Sequence, residues 1–290
     1  MFSADLLANA VVAGVLLGGF YAAVAVGLAI VFGQIDIVNI AHPAFIIVGA
    51  YIAYILNSRF GFDPVLVGLA ATPLFFLFGV LLYRIYFAAF ERTGQESLSG
   101  LAFFFGVMFI IEVSLIMVYG VDYRLVQADY IGQSWHFGFV DLPLRMLVPF
   151  AVSAALTGGI YLYLTRTFMG RAIQAVAQDR VALQLMGANP VRIKQWAFGL
   201  GLATAAIAGA LLIVIGPVEP SLGRVYIGRA FAIVVLGGMG SIQGMFVAAL
   251  ILGLVESLVS TFAGPSWSPA VAFGVLALTL AVRPAGLFGR

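Results

Sequence analysis

Apolar residues in this chain come in long unbroken runs, at about 6–32, 44–56, 64–83, 99–118, 143–164, 196–215, 226–239, 242–262 and 268–282, with most polar residues gathered between them. A helix of about 20 residues crosses a hydrocarbon core about 30 Å thick. The pattern therefore predicts an all-α, polytopic membrane helical bundle with about 8–10 transmembrane segments. The first run follows Asp5 with no Lys or Arg before it. It lacks the basic flank of a cleavable signal peptide and reads as a retained helix. Past it the pattern breaks at Gly33-Gln34-Ile35-Asp36 and resumes only after Asn39-Ile40-Ala41-His42-Pro43. Polar atoms and a proline at membrane depth predict a broken or re-entrant segment, tolerable where protein or a water-filled cavity satisfies the freed backbone groups.

Composition sharpens the exclusions. Of 290 residues, 63% are hydrophobic and 9% charged, against about 25% charged in soluble domains, which excludes a water-soluble enzyme. Fourteen Lys plus Arg against twelve Asp plus Glu leave a scattered +2, too little to track nucleic-acid phosphates. With no cysteine, disulfides, thiolate metal sites and a Cys nucleophile are all excluded. Neither H-E-x-x-H, G-x-S-x-G nor G-x-x-x-x-G-K-[ST] occurs, so neither an intramembrane hydrolase nor an ATPase is expected on this chain, and it should carry no cofactor of its own. His42 has no second His, Cys or spaced carboxylate beside it, and no metal site is expected.

Charge sets the orientation. Arg84 and Arg92 flank one connection, Arg166, Arg171, Arg180, Arg192 and Lys194 fill another, and Arg283 and Arg290 follow the last run. The connection 119–141 carries Asp122, Asp129 and Asp141 against Arg124, with Trp135. By the positive-inside rule the basic connections face the cytoplasm; with nine crossings the N-terminus lies outside and the C-terminus is cytoplasmic. Gly14/Gly18 and Gly240/Gly244 are G-x-x-x-G pairs that let helices approach closely in lipid. Glu112 and Glu256 lie well inside their runs with no Lys or Arg near either centre. A structural hydrogen-bonding role is expected for them over a proton relay.

The one long polar connection, 167–194, reads as a single helix from about Gly170 to Met186, with Gly187 as a left-handed cap and Asn189-Pro190 as the stop. Ile173, Val176, Ala177 and Met186 form its apolar face, while Arg171, Gln178, Asp179, Arg180 and Gln184 offer polar contacts.

Four motifs together carry a resemblance. The run Gly170-Arg171-Ala172-Ile173-Gln174-Ala175-Val176-Ala177-Gln178-Asp179 through Leu185-Met186-Gly187-Ala188-Asn189 is similar to the coupling segment of LivH-type permeases, the membrane subunits of bacterial branched-chain amino acid ABC importers. Gly27-Leu28-Ala29-Ile30-Val31-Phe32-Gly33 with Val38-Asn39-Ile40-Ala41-His42 and Gly49-Ala50-Tyr51 resembles that family's first motif. Leu236-Gly237-Gly238-Met239-Gly240-Ser241-Ile242-Gln243-Gly244 and Arg283-Pro284-Ala285-Gly286-Leu287-Phe288-Gly289 resemble its later ones. Two positions depart from the family pattern: Pro43 stands where glycine is usual, and Val181-Ala182-Leu183 stands where the wider ABC-permease loop has Glu-Ala-Ala.

The resemblance implies one permease domain over 1–290 in a bacterial inner (plasma) membrane. It implies import of branched-chain amino acids or another small polar ligand such as urea, an amide or an organic acid. The implied partners are a related LivM-type permease or a second copy, two ATP-binding subunits carrying ATP and Mg, a periplasmic substrate-binding protein, and the lipid bilayer. Gln34, Asn39, His42 and Ser241 are the translocation-pathway candidates; Arg171, Gln178, Asp179, Arg180, Gln184 and Gly187 are the ATPase-coupling candidates. A self-sufficient secondary transporter or channel is the competing reading, distinguished by uptake without ATPase subunits.

Overall fold

A computed structural model describes residues 4–91, 98–138 and 140–289. Its helices are α1 (Ala4–Ile35), α2 (His42–Phe60), α3 (Pro64–Ala89), α4 (Leu98–Tyr119), α5 (Leu144–Arg166), α6 (Phe168–Gln178), α7 (Arg180–Leu185), α8 (Pro190–Ile215), α9 (Gly223–Gly237), α10 (Ile242–Phe262) and α11 (Ser268–Val282). Between α4 and α5 an antiparallel hairpin pairs β1 (Ser134–Phe137) with β2 (Val140–Pro143). Among the described residues nine helical stretches are long and apolar enough to cross a membrane, the number the runs predict. Arg92 and Arg290 lie outside the described residues.

Successive spans alternate in direction, so the bundle has two ends. At the hairpin end Asn9 of α1 accepts the Asp141 N–H at 2.9 Å, Asn57 beyond the middle of α2 donates to the Gln127 carbonyl at 2.8 Å, and Arg124 exchanges backbone hydrogen bonds with Val218 at 2.9 and 3.0 Å. At the opposite, basic end lie the α1–α2 break, α6, α7, the α9–α10 connection and residues 283–289.

The hydrophobic pattern decides which helices are central. α1 and α8 are apolar all round and buried over most of their length, as a helix with no polar face must be inside a large bundle. α3, α4 and α11 send Leu66, Leu77, Ile110, Met117 and Leu278 outward, a surface suited to acyl chains. Gly14 and Gly18 do pack helix on helix within the chain: a Cβ on Gly18 would sit 2.6 Å from Leu250 Cα of α10. Gly240 and Gly244 do not form such a pair. Gly240 lies in the α9–α10 connection with φ +88°, and only Gly244 is helical, against the Gly237 carbonyl and Phe288. Gly18→Leu must push α1 and α10 apart at backbone level, so it is expected to abolish the monodisperse peak in size-exclusion chromatography. Gly106→Leu, whose Cβ meets nothing within 4 Å, should leave the peak intact.

The break after α1 is as the sequence expects. Asp36 is left-handed (φ 56°), Asn39 Oδ1 accepts the Ala41 N–H at 3.1 Å, and α2 starts at His42. Pro43 falls in the first turn of α2, where a missing N–H costs nothing; the departure from the family's glycine is locally compatible with the helix.

Candidate functional site

Thr167 closes α5 and opens α6: its hydroxyl donates to the Tyr163 carbonyl at 2.7 Å and accepts the Gly170 N–H at 3.0 Å. Gly170 is needed there because a Cβ would lie 2.2 Å from the Tyr163 carbonyl oxygen. The segment then departs from the expected single helix. At Asp179 the backbone is extended (φ −153°, ψ 105°), and its carboxylate accepts the Val181 and Ala182 N–H groups at 2.8 and 2.9 Å, ending α6 and capping α7. An Asp side chain competes with the backbone for these donors, which is why it favours caps over helix interiors. Gly187 is left-handed (φ 80°), as its position predicts, and Asn189 caps α8 through Val191 and Arg192.

The faces also differ from the periodic reading. Ile173, Val176 and Leu183 are buried, whereas Ala177 and Met186 are exposed. Phe168, Val181, Leu185 and Met186 are 89%, 65%, 84% and 75% exposed, and Arg171, Gln178 and Gln184 stand exposed among them. The Arg180 side chain lies outside what is described. The segment is thus anchored by one face and offers a mixed apolar and polar knob with the other.

Just beyond the segment, near the start of α8, is a cluster the sequence does not reveal. Lys194 is 1% exposed and donates to Glu91, whose other carboxylate oxygen accepts the Tyr83 hydroxyl at 2.7 Å. Lys194 reads as one more basic loop residue, but it ties the first turn of α8 to the end of α3.

Of the pathway candidates, Gln34 donates to the Gly240 carbonyl at 2.7 Å, which brings it to the connection that Ser241 ends as the cap of α10. Asn39 and His42 are fully buried where α1, α2 and α8 meet. A Cβ on Gly27 would be 2.4 Å from His42 Cε1 and from the Thr204 hydroxyl. Among the described residues Asn39 Nδ2 has no hydrogen-bond partner, and the His42 ring has the Val24 backbone beside it but makes no hydrogen bond of ordinary geometry. The structure therefore joins Gln34 to the Ser241 loop and leaves Asn39 and His42 as a separate, enclosed pair.

Both intramembrane carboxylates have cationic partners, contrary to the sequence expectation. Glu112 binds Arg224 of α9 through two hydrogen bonds of 2.8 and 2.5 Å. Glu256 accepts from Arg229 of α9 at 2.9 Å, from the Tyr21 hydroxyl at 2.5 Å and from Ser268 at 3.1 Å. The Arg229 guanidinium also lies 5.8 and 5.6 Å from the ring centroids of Tyr21 and Tyr226, within cation–π range. The usable signal was Arg224 and Arg229 themselves, two cations at the head of an apolar run that need two anions.

Residues 10–280 match the family model described as branched-chain amino acid transport system / permease component. The chain belongs to that family. It is 31% identical to the high-affinity branched-chain amino acid transport system permease protein BraD of Pseudomonas aeruginosa, over 96% of this chain and 94% of that one. To the permease protein LivH of Escherichia coli K12 it is 28% identical over the same shares. To LivM of that organism it is 28% identical, over 92% of this chain and 67% of that one. A chain of the solved PsaBC from Streptococcus pneumoniae in complex with Fab matches 97% of this chain with a TM-score of 0.51 at 13% identity, a likeness of fold. The family and the nine candidate spans among the described residues make this a multi-span transport permease of the membrane.

Proposed function

We propose that the chain is a translocation subunit of an ABC importer carrying branched-chain amino acids, or a related small polar ligand, across a bacterial inner membrane. It pairs with a LivM-type permease or a second copy of itself. Two ATP-binding subunits hold ATP and Mg and dock on the α6–α7 knob. A periplasmic substrate-binding protein delivers ligand at the hairpin end, and the basic end with the C-terminus faces the cytoplasm. The observation that carries this reading is the knob: Leu185 and Met186 stand out on the end that collects the basic residues, while Ile173 and Val176 anchor the same segment to the bundle. A protruding element with a fixed base passes a displacement of its partner into the helices, as alternating access requires.

The test is leucine uptake into proteoliposomes holding the assembled complex and the binding protein. Uptake is expected only with ATP, and uptake by the permeases without the ATP-binding subunits would favour a self-sufficient transporter. Leu185→Asp together with Met186→Asp should abolish co-purification of the ATP-binding subunits. Asp179→Ala, which removes a cap worth about 1 kcal/mol, should slow uptake several-fold and raise ATP hydrolysed per leucine, and Gly187→Val should do the same by straining a left-handed position. Wild-type stoichiometry in both variants would count against the knob as a lever.

A further inference from the structure

The connection from α4 to β1 crosses the hairpin end of the bundle as an extended strap. From Tyr123 to Tyr130 its residues alternate: Arg124, Val126, Ala128 and Tyr130 turn inward, Val126 being buried, while Tyr123, Leu125, Gln127 and Asp129 stand exposed. A period of two is what an extended chain lying on a surface produces. The strap is bounded by two left-handed glycines, Gly120 (φ 74°), which ends α4, and Gly132 (φ 96°). Both positions permit large backbone rotation, as hinges require.

Between the hinges the strap is held at two points. Near one end of α2, Asn57 donates to the Gln127 carbonyl at 2.8 Å and accepts the Gln127 N–H at 3.0 Å, and its amide also donates to the Phe62 carbonyl at 2.9 Å. On the other side, Arg124 exchanges both backbone hydrogen bonds with Val218, which is fully buried. The strap thus joins the end of α2 to the α8–α9 connection. What it covers is recessed. The helix α9 starts only at Gly223, where a Cβ would lie 3.3 Å from Ile47, one turn of α2 below Tyr51. Tyr51 fills the level above. It is 2% exposed, its ring centroid is 5.0 Å from that of Tyr119, and the charges of Arg124 and Glu219 both reach its hydroxyl.

The shut strap encloses groups it does not satisfy. Among the described residues the Tyr51 hydroxyl and Arg124 Nε are buried without a hydrogen-bond partner. Unpaired buried donors oppose the shut form, and water meets both once the strap lifts. The Asn57 bonds that resist lifting are solvent-exposed, so water replaces them at small net cost. We infer that residues 121–131 are an outer gate, hinged at Gly120 and Gly132 and latched by Asn57, whose lifting opens the recess above α9 to the incoming ligand. The gate rests on the proposed import function and on the hairpin end facing outward. It gives Asn57 a positioning role in transport that its place at a helix end does not suggest.

The chain has no cysteine, so introduced ones report cleanly. Residues 124 and 218 form a hydrogen-bonded antiparallel pair, whose Cα atoms stand about 5.5 Å apart, within disulfide reach. In the assembled complex in proteoliposomes, oxidising Arg124→Cys/Val218→Cys should cut ATP-driven leucine uptake at least tenfold, and a phosphine reductant should restore it. The unsubstituted complex, treated in the same way, should be unaffected. Undiminished uptake with the cross-link confirmed by peptide mapping overturns the gate. A second measurement does not depend on the cross-link. Val126→Cys, on the inner face of the strap, is labelled with a membrane-impermeant methanethiosulfonate, and adding Asn57→Ala should speed labelling at least tenfold. Ala25→Cys, fully buried in α1, should stay unlabelled in both backgrounds. An unchanged rate at Val126→Cys overturns the latch, and equal acceleration at Ala25→Cys overturns it too, by making Asn57 a general stability element. Uptake by the unsubstituted complex is scored separately: if leucine is imported equally well with the strap cross-linked, the gate fails alone. If the unsubstituted complex imports no leucine while Asn57→Ala still exposes Val126→Cys, the amino-acid reading fails alone.

Discussion

Arg229→Met is expected to be the most damaging single change in the membrane-embedded part of this protein. Among the described residues it leaves the Glu256 carboxylate, 1% exposed, with the Tyr21 and Ser268 hydroxyls. Stranding one member of a buried ion pair costs about 3–5 kcal/mol, and for a chain of this length that lowers the unfolding midpoint by about 5–8 °C. Glu256→Gln strands the cation instead and should cost a similar amount, less whatever the amide recovers from Tyr21. The double variant Arg229→Met/Glu256→Gln removes both charges and should recover more than half of the loss. Thermal unfolding of the detergent-solubilised protein reads all three. A double variant no better than the worse single one would show that Arg229 acts through its contacts with Tyr21 and Tyr226 and not through the charge pair.

Lys194→Met is expected to have the second largest effect, and on a different quantity. Lys194 and Glu91 are both within a tenth of full burial, and they tie the helix after the α6–α7 segment to the end of α3. Losing the ammonium costs about 3–5 kcal/mol by the same argument. Because Lys194 stands on the helix that follows the α6–α7 segment in the chain, its loss also loosens the base of the proposed lever. Uptake should fall at least tenfold while ATP hydrolysis by the complex continues. Lys194→Arg, which keeps the charge but spreads it over a larger planar group, should retain more uptake than Lys194→Met. Uptake and hydrolysis falling in proportion for Lys194→Met would make the pair a stability element only.

These two clusters mark the boundary of what the sequence makes legible. The nine spans follow from run length and hydropathy, because a bilayer asks each helix for the same thing regardless of its neighbours. The breaks at Asp36 and Gly187 follow from local chemistry, since few residues accept a left-handed backbone. The ion pairs are a different matter: Glu112 and Arg224 are 112 residues apart and Lys194 and Glu91 are 103 apart, so nothing local connects them. Asp179 was visible as a polar residue on a helix, but its capping role depends on which of two backbone conformations wins. The pathway candidates were chosen for polarity at a break. Two of them, Asn39 and His42, are enclosed at a three-helix junction, because polarity at a break does not say which way a side chain faces.

The two arginines of α9 bear on how the chain enters the bilayer. The Pro220–Gly237 stretch has the lowest mean hydropathy of the nine, 1.2, and it carries both Arg224 and Arg229. Alone it is a poor substrate for lateral exit from a translocon, where each such cation is penalised. One counter-ion, on α4, has already been synthesised when α9 emerges, but Glu256 on α10 has not. Biogenesis must therefore hold α9 at the protein-lined exit until the next span arrives, so that the last three helices enter the lipid as a group and not one at a time.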